Sequence, residues 1–211
     1  MRLKGRKSFI TGAAKGIGLS VARAFAAEGA AVALADISEE ESKKQSLEIK
    51  ETYGVDAIGV KCDVGDTISV QNAIKETSEA FNGLDTIACM AATLTERLDV
   101  VDLPEDEWNR TLNVNLTGSF LVCKHGIPFL REAGGGSIIL TASQMGQVAW
   151  PGSTAYCTTK GGILQLVKGI ALDHKDENIR CNSISPGGVA TDRPVSYTHL
   201  RAHESKRNLV C

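Results

Sequence analysis

A glycine-rich turn near the start of the chain constrains the fold more than any other segment. Residues 7–11 predict a short buried strand, and residues 19–29 have the apolar spacing of a helix. Between them lie Gly12, Gly16 and Gly18, in the spacing G-x-x-x-G-x-G. Glycine permits a tight turn and a close approach to a pyrophosphate, whose charge is stabilised by the amides at the helix N-terminus. The segment predicts a dinucleotide-binding turn, with an ordinary glycine-containing turn between strand and helix as the alternative.

The rest of the chain alternates between strand and helix patterns. The further predicted strands are residues 31–35, 57–62, 84–89, 137–141 and 179–185, and the further predicted helices are 39–53, 67–81, 104–131 and 156–175. This alternation predicts a single doubly wound α/β domain of the Rossmann type, with helices on both faces of a parallel sheet. Ligands of such domains bind at the carboxyl ends of the strands. Six candidate residues fall at these ends: Gly12, Asp36, Asp63, Ala91, Ser143 and Pro186.

The second predicted strand ends in Asp36, eighteen residues after Gly18. A carboxylate there can accept hydrogen bonds from the ribose diol of a dinucleotide and would repel a 2′-phosphate, which favours NAD. Asp36 could equally cap the following helix or turn the chain before it. Lys15 in the glycine-rich turn could pair with a 2′-phosphate, so NADP stays open.

Tyr156 and Lys160 lie four residues apart, and Ser143 lies thirteen residues before Tyr156. Residues i and i+4 share one face of a helix, so the phenol and the ammonium would project together. A cation beside a phenol favours the phenolate and moves its pKa from ~10 toward neutral pH. A serine hydroxyl nearby would hold a carbonyl or alcohol oxygen, which together predicts proton transfer to and from oxygen. Alone, Tyr-x-x-x-Lys is typical of an exposed ring beside a lysine stem.

Together these motifs resemble the short-chain dehydrogenase/reductase family over residues 3–194. Thr11-Gly12-x-x-x-Gly16-Ile17-Gly18 resembles the cofactor loop of the family, and Cys62-Asp63-Val64 resembles its Asp-Val dipeptide beside the adenine. Residues 113–118 (Asn-Val-Asn-Leu-Thr-Gly) resemble the segment that carries the helix asparagine, and residues 186–191 resemble the loop that contacts the nicotinamide.

The resemblance implies an NAD(P)-dependent oxidoreductase that interconverts a secondary alcohol and a ketone by hydride transfer. Tyr156 would be the general acid and base, and Ser143 would orient the reacting oxygen. Lys160 would act on Tyr156 and hold the ribose hydroxyls, and Asn115 would hold a water that links Lys160 to solvent. The implied cofactor contacts are Gly12, Lys15, Gly16, Ile17, Gly18, Asp36, Asp63, Val64, Ala91, Tyr156, Lys160, Pro186, Gly187, Val189 and Thr191.

The chain departs from the family pattern in two places. The family carries Asn-Asn-Ala-Gly after its fourth strand, where this chain has Cys89-Met90-Ala91-Ala92. The substitution removes side-chain amides that would tie the central strands together, and Ala92 adds a methyl group beside the cofactor. From Val195 onward, the sequence resembles a translated sequencing adapter, so residues 195–211 are expected to be a non-native tail. The domain over residues 1–194 is then expected to lack its last strand and its substrate lid.

Composition limits the kinds of partner. The formal net charge of −2 gives no footprint for nucleic acid or an anionic membrane, and no signal peptide or membrane-spanning segment is evident. Six scattered cysteines without Cys-x-x-Cys spacing predict reduced thiols and a cytoplasmic protein. His199 and His203 have helical spacing, but the doubtful origin of their segment and the lack of a supporting cluster predict no metal site.

Several alternatives stay open at this point. The same motifs serve reduction of a 3-oxoacyl thioester with NADPH. The altered residues 89–92 favour a non-catalytic dinucleotide-binding sensor or scaffold, and the expected truncation favours an inactive fragment. The resemblance also implies a homodimer or homotetramer in the full-length form, since the helices around Asn115 and Tyr156 are apolar on more than one face. Residues 93–98 and 144–150 are expected to line the pocket. They mix polar and apolar residues, so they do not define the small-molecule substrate.

Overall fold

A single six-stranded parallel sheet forms the centre of the protein, in the order β3-β2-β1-β4-β5-β6. The computed structural model describes residues 1–189. The strands are β1 (Lys7–Thr11), β2 (Ala31–Asp36), β3 (Ala57–Lys61), β4 (Thr86–Cys89), β5 (Gly136–Thr141) and β6 (Ile179–Ile184). The strand order reverses between β1 and β4, where doubly wound folds bind their ligands. The predicted α/β architecture is confirmed.

Helices cover both faces of this sheet. They are α1 (Gly16–Ala27), α2 (Glu39–Tyr53), α3 (Thr67–Phe81), α4 (Glu105–Leu112), α5 (Gly118–Glu132) and α6 (Thr154–Asp173). Successive strand residues point to opposite faces, so Phe9 packs in the core beneath α3, α5 and α6, while Ile10 packs in the core beneath α1 and α2. Burial on both faces explains why these strands are nearly uninterrupted apolar runs.

The predicted helix over residues 104–131 is wrong in one respect, because it contains a π turn. Regular α4 ends at Leu112, the π turn spans Asn113–Thr117, and α5 begins at Gly118. The backbone stays helical through the junction, so an apolar pattern cannot distinguish it from one long helix. The π turn includes Asn115, one of the predicted catalytic residues.

Within residues 1–189, strand β6 lies at the edge of the sheet. It pairs with β5 from Gly136–Ile179 to Thr141–Ile184. The predicted cofactor contact Thr191 and the predicted non-native tail, residues 195–211, lie outside the described residues. Among residues 1–189, no helix combines the length and the apolarity that crossing a bilayer requires.

The five cysteines in the described part of the chain are free thiols. Burial, with a smaller contribution from the Asp63 carboxylate, raises the pKa of Cys62 to about 12. Burial likewise raises the pKa of Cys181 to about 12. Both thiols therefore stay protonated at neutral pH and are poor nucleophiles.

Gly169, on the exposed side of α6, offers a test of the helix packing. A Cβ added there would meet no neighbouring atom within 4 Å. We expect Gly169→Ala to raise the free energy of unfolding by about 0.5–1 kcal/mol, because alanine restricts the unfolded chain and favours helix. Urea unfolding followed by circular dichroism measures this change.

Gly59→Ala is the matched control, because its Cβ would overlap the backbone of α2 at Ser42 and Lys43. We expect this variant to lose stability. A loss of stability in Gly169→Ala as well would contradict the open space around Gly169.

Candidate active site

The glycine-rich turn closes against the end of β4. Gly12 has φ +64°, and a Cβ there would lie 2.7 Å from Cα of Ala91. A Cβ on Gly18 would overlap the carbonyl oxygen of Gly12, so both positions require the absence of a side chain. Gly16 also has a positive φ of +60°, but it faces open space. The turn is thus a narrow cradle between β1, the start of α1 and residue 91.

Helix α1 begins at the cradle. Its N-cap residue, Lys15, makes no side-chain capping hydrogen bond to the described residues, and the first turn contains no acidic residue. The amides and the positive end of the helix dipole at Gly16, Ile17 and Gly18 are therefore arranged to stabilise an anion in the cradle.

Asp36 joins the end of β2 to this cradle. Its Oδ2 accepts a hydrogen bond from the Ala14 amide at 3.1 Å, and its Oδ1 accepts one from the Ser38 amide at 3.1 Å. Ser38 is the N-cap residue of α2, so Asp36 fills the turn role that the sequence left open. The carboxylate is half-buried beside the turn and keeps further lone pairs for a ligand hydroxyl.

Threonine hydroxyls tie the central strands together, although the chain lacks the asparagines expected after β4. Thr11 Oγ1 accepts hydrogen bonds from the amides of Met90 and Ala91 at 3.1 and 3.2 Å. On the other side, the Thr141 hydroxyl donates to the sulfur of Met90 at 2.8 Å. The loss of the side-chain amides therefore does not leave the ends of β1, β4 and β5 unconnected.

Asp63 and Val64 follow β3 at the same edge of the sheet. Asp63 is exposed, and its Oδ1 accepts a hydrogen bond from the Gly65 amide at 2.9 Å. Val64 is buried against the start of α5, where a Cβ on Gly118 would lie 2.8 Å from its Cγ2. The valine positions the turn, and the aspartate stays accessible to a ligand.

Asn115 is 1% exposed, and its carboxamide is held at both ends by Thr93. Its Oδ1 accepts a hydrogen bond from the Thr93 amide at 2.7 Å, and its Nδ2 donates to the Thr93 carbonyl oxygen at 3.0 Å. Nδ2 also lies 3.3 Å from Thr159 Oγ1, whose hydroxyl donates to the Tyr156 carbonyl oxygen at 2.8 Å. The side chain of Asn115 thus links the segment after β4 to the helix that carries Tyr156.

Ser143 is buried two residues after β5. Its Oγ accepts a hydrogen bond from the Met145 amide at 3.1 Å and lies 3.5 Å from the carbonyl oxygen of Pro186. The amide of Gln144 donates to the same carbonyl oxygen at 3.2 Å, which connects the loop after β6 to the serine. Gly187 and Val189 continue this loop as exposed residues.

Lys160 is 2% exposed, and its ammonium lies beside Tyr156. Its Nζ lies 5.6 Å from the centroid of the Tyr156 ring and donates to the Thr141 carbonyl oxygen at 2.6 Å. The four-residue spacing predicted this proximity, and α6 provides it. The short 3₁₀ turn after Ser143 is also close, because a Cβ on Gly146 would lie 2.6 Å from the Lys160 carbonyl oxygen. The serine segment and the Tyr156 helix are therefore packed backbone to backbone.

Sequence reasoning missed four threonines that organise the site. Thr11 and Thr141 hold the end of β4, and Thr93 and Thr159 hold Asn115. The threonines at the ends of β1 and β5 were visible in the sequence, but their partners depend on which strands are neighbours.

Among residues 1–189, no cluster of His, Cys, Asp or Glu side chains is arranged to hold a metal ion.

This geometry defines a class of protein. A parallel sheet in the order 3-2-1-4-5-6, with a glycine-rich turn after β1 and an acidic residue after β2, is a Rossmann-type dinucleotide-binding domain. A buried lysine and a tyrosine one helical turn apart lie at the carboxyl edge of the same sheet.

A family sequence profile described as Enoyl-(Acyl carrier protein) reductase matches residues 12–208. The chain belongs to the short-chain dehydrogenase/reductase family, an NAD(P)-binding oxidoreductase family, as the motifs predicted.

Individual relatives agree with this assignment. The chain is 38% identical over 190 residues to the 2,5-dichloro-2,5-cyclohexadiene-1,4-diol dehydrogenase of Sphingobium indicum, covering 90% of this chain and 75% of the relative. It is 39% identical over 195 residues to the trans-4-hydroxycyclohexanecarboxylate dehydrogenase of Sinomonas cyclohexanicum, covering 90% and 74%. A crystal structure of NAD⁺-bound xylitol dehydrogenase superposes with a TM-score of 0.86 at 34% identity, covering 90% of this chain and 74% of that chain.

Proposed function

We propose that this protein is an NAD-dependent dehydrogenase that interconverts a secondary alcohol and a ketone, with Tyr156 as general acid and base. The observation that carries the proposal is the buried ammonium of Lys160, 5.6 Å from the Tyr156 ring on the same helix face. Burying a charged lysine away from water costs free energy unless hydrogen-bond acceptors or other polar groups compensate the charge. Here it has the Thr141 carbonyl oxygen as an acceptor and the tyrosine as a neighbour.

The described residues fit a nicotinamide dinucleotide. A Cβ at Gly12 would collide with the backbone of Ala91, and a Cβ at Gly18 would collide with that of Gly12, so these glycines keep the turn tight at the start of α1. The start of α1 would hold the pyrophosphate, Asp36 the adenosine ribose, and Asp63 with Val64 would border the adenine. Lys160 and the loop at residues 186–189 would border the nicotinamide end. When bound, the cofactor supplies a two-electron acceptor for the carbinol hydrogen.

Each side chain of the site would have a separate role in proton transfer. The Tyr156 phenolate oxygen would take the proton of the alcohol in the oxidative direction and return it in the reductive direction. The Ser143 hydroxyl would donate to the reacting oxygen and fix its position. The Lys160 ammonium would favour the phenolate electrostatically, and Asn115 would fix the helix turn behind it. General acid–base catalysis of this kind contributes roughly 10²–10⁴-fold to the rate.

Our inference on the substrate class is supported by the relatives and by two segments that are expected to border the site. Two of the relatives are named for ring alcohols and one structural neighbour for a polyol. The border segments, residues 93–98 and 144–150, carry Glu96, Arg97 and two glutamines as polar groups and Trp150 as an apolar one. We infer a hydroxylated ring or a polyol as the substrate.

The decisive experiment is an assay of NAD reduction with the 211-residue chain and a defined panel. The panel contains trans-4-hydroxycyclohexanecarboxylate, cyclohexanol, xylitol and ethanol, each with NAD and with NADP. We expect turnover with at least one secondary alcohol and none with ethanol. Binding of NAD without turnover of any alcohol would favour the non-catalytic sensor or the inactive fragment.

A second candidate function is reduction of an acyl thioester with NADPH. It is favoured by the description of the matching family profile, which names an enoyl-(acyl carrier protein) reductase. Acetoacetyl-coenzyme A and crotonyl-coenzyme A with NADPH test the 3-oxoacyl and enoyl reactions. Turnover of either thioester in preference to the alcohols would replace the first proposal.

Asp36 is expected to set the preference between NAD and NADP. We expect Asp36→Asn to raise the ratio of NADPH affinity to NADH affinity about tenfold, because it removes the charge that repels a 2′-phosphate. The asparagine retains an oxygen that can accept from the Ala14 or Ser38 amide. Fluorescence titration with both reduced cofactors measures the ratio, and an unchanged ratio would leave Asp36 with its turn role alone.

We further infer a homo-oligomer built on α5 and α6. Leu121, Ile163 and Val167 are buried within the chain, which accounts for part of the apolar surface. Phe120 and Leu172 remain 46% and 70% exposed on these helices. Light scattering coupled to size exclusion tests this inference, and Phe120→Glu should shift a dimer or tetramer toward the monomer.

A further inference from the structure

We propose that Arg110 is a positioning residue of the active site, which clamps residues 93–98 against the helix turn that carries Asn115. This proposal rests on the proposed function, in which residues 93–98 would border the substrate. It assigns a task to a side chain that no motif singled out.

Arg110 reaches the segment after β4 with two of its nitrogens. Its Nη1 donates to Thr93 Oγ1 at 2.6 Å, and its Nη2 lies 3.4 Å from the Leu94 carbonyl oxygen. The guanidinium is held in place by Glu107, whose two carboxylate oxygens accept hydrogen bonds from Nε and Nη2 at 2.8 to 3.1 Å. The planar fork of arginine suits this double contact, and a lysine could not make it.

Thr93 is bound by both Arg110 and Asn115. Its hydroxyl is bound by Arg110, while its amide and its carbonyl oxygen are both bound by the carboxamide of Asn115. Asn115 in turn contacts Thr159, which lies next to Lys160 and donates to the Tyr156 carbonyl oxygen. An unbroken series of hydrogen bonds thus runs from the exposed Glu107–Arg110 pair to the helix that carries the proposed acid and base.

Arg110 and Asn115 bind the same residue from either side of the junction between α4 and the π turn. In a regular α-helix, side chains five positions apart differ in direction by about 140°, because each residue advances the helix by about 100°. A π turn widens the helix and reduces the rotation for each residue. The π turn begins at Asn113, between Arg110 and Asn115, so the angle between these two side chains is smaller than in a regular helix, and both bind Thr93.

The far end of the segment touches the residues that precede α6. Leu98 pairs with Ser153 in an isolated parallel bridge, and a Cβ on Gly152 would lie 3.1 Å from the backbone of Arg97. Gly152 has φ +68°, so the chain turns there just before the helix of Tyr156 begins. Residues 93–98 therefore form a wall with one end fixed at Arg110 and the other beside the start of α6.

Arg110 in α4 and Asn115 in the π turn thus have different roles. Asn115 is buried and holds the turn itself, whereas Arg110 lies on the exposed side and holds the wall. We expect loss of the arginine to loosen the wall without disturbing the cofactor cradle, which is formed by residues 12–18 and 90–91.

The test compares Arg110→Met with Arg131→Met in the 211-residue chain. Arg131 is a matched control, because it makes a similar bidentate pair with Glu177 at the amino-terminal ends of β5 and β6, away from the candidate site. Hydrogen exchange is followed by mass spectrometry at residues 92–98, with residues 90–91 of the cradle as an internal reference. We expect exchange at residues 92–98 to become about fivefold faster or more in Arg110→Met and to stay unchanged in Arg131→Met.

Kinetics give the second readout, with the best alcohol of the panel above. We expect Arg110→Met to raise KM for the alcohol about tenfold and to leave the dissociation constant of NADH within about twofold, because misplacement of a binding wall weakens substrate positioning. Thr93→Val should have the same effect, Thr93→Ser should retain near-normal values, and the double variant Thr93→Val, Arg110→Met should be no worse than either single variant.

The outcomes separate the two proposals. Unchanged exchange over residues 92–98 in Arg110→Met overturns the clamp, since Arg110–Glu107 is then only a surface ion pair of little consequence. Faster exchange with an unchanged KM also overturns the positioning role. A native chain that binds NADH but oxidises no alcohol overturns the proposed function, and hydrogen exchange then decides the clamp alone.

Discussion

Replacing Tyr156 by phenylalanine is expected to lower kcat for alcohol oxidation by about 10²–10⁴-fold, the usual contribution of a positioned acid or base. The change removes one hydroxyl group and leaves the ring, so the contact with the Lys160 ammonium is retained. The affinity for NADH should stay within about twofold, because the cradle at Gly12 and Gly18 is untouched. Steady-state kinetics and fluorescence titration on the same preparation measure both quantities.

Tyr53→Phe is the matched control for this substitution. Tyr53 is the last residue of α2, is half-buried and packs against the core beneath α1 and α2. We expect it to leave kcat unchanged. Near-normal turnover in Tyr156→Phe would remove the tyrosine from the mechanism, and equal losses in both variants would indicate a general effect on folding.

The second large effect is expected from Gly18→Ala, which should abolish measurable NADH binding and lower the free energy of unfolding by about 1–3 kcal/mol. The added Cβ would overlap the carbonyl oxygen of Gly12, and a backbone atom cannot move aside as a flexible side chain can. Helix α1 and the turn must then separate, which opens the space that the pyrophosphate would occupy. Urea unfolding and NADH titration measure the two losses.

Gly16→Ala separates backbone strain from a collision. Gly16 also has a positive φ, but a Cβ there faces open space. We expect a cost of about 1–2 kcal/mol from the left-handed conformation alone, with a smaller effect on NADH affinity than in Gly18→Ala. Equal effects of the two substitutions on cofactor affinity would contradict the collision at Gly18.

Local signals predicted the parts of the fold that depend on neighbouring residues. The ends of α2 and α3 are correct to the residue, because Gly54 and Asn82 adopt the left-handed conformation that ends a helix. The pairing of Tyr156 and Lys160 was also predicted, since it follows from helix spacing alone.

Features that depend on tertiary packing could not be predicted from local sequence patterns. The π turn around Asn115 leaves the apolar pattern of residues 104–131 intact, so periodicity alone gave one regular helix. The hydrogen bonds from Met90 and Ala91 to Thr11 require β1 and β4 to be neighbours, which no local pattern states. Likewise, Arg110 reads as an ordinary member of an exposed ion pair until Thr93 is placed beside it.

The central position of β1 has a consequence for synthesis on the ribosome. The glycine-rich turn leaves the ribosome early, yet the residue that closes it, Ala91, is made eighty residues after Thr11. At about 5–20 residues per second, the turn waits about 4–16 s before its partner exists. During that interval the apolar β1 and β2 are translated without β4, and such strands are exposed to chaperones and to other nascent chains. We therefore expect slower translation over residues 12–91 to lengthen the interval in which β1 and β2 lack β4.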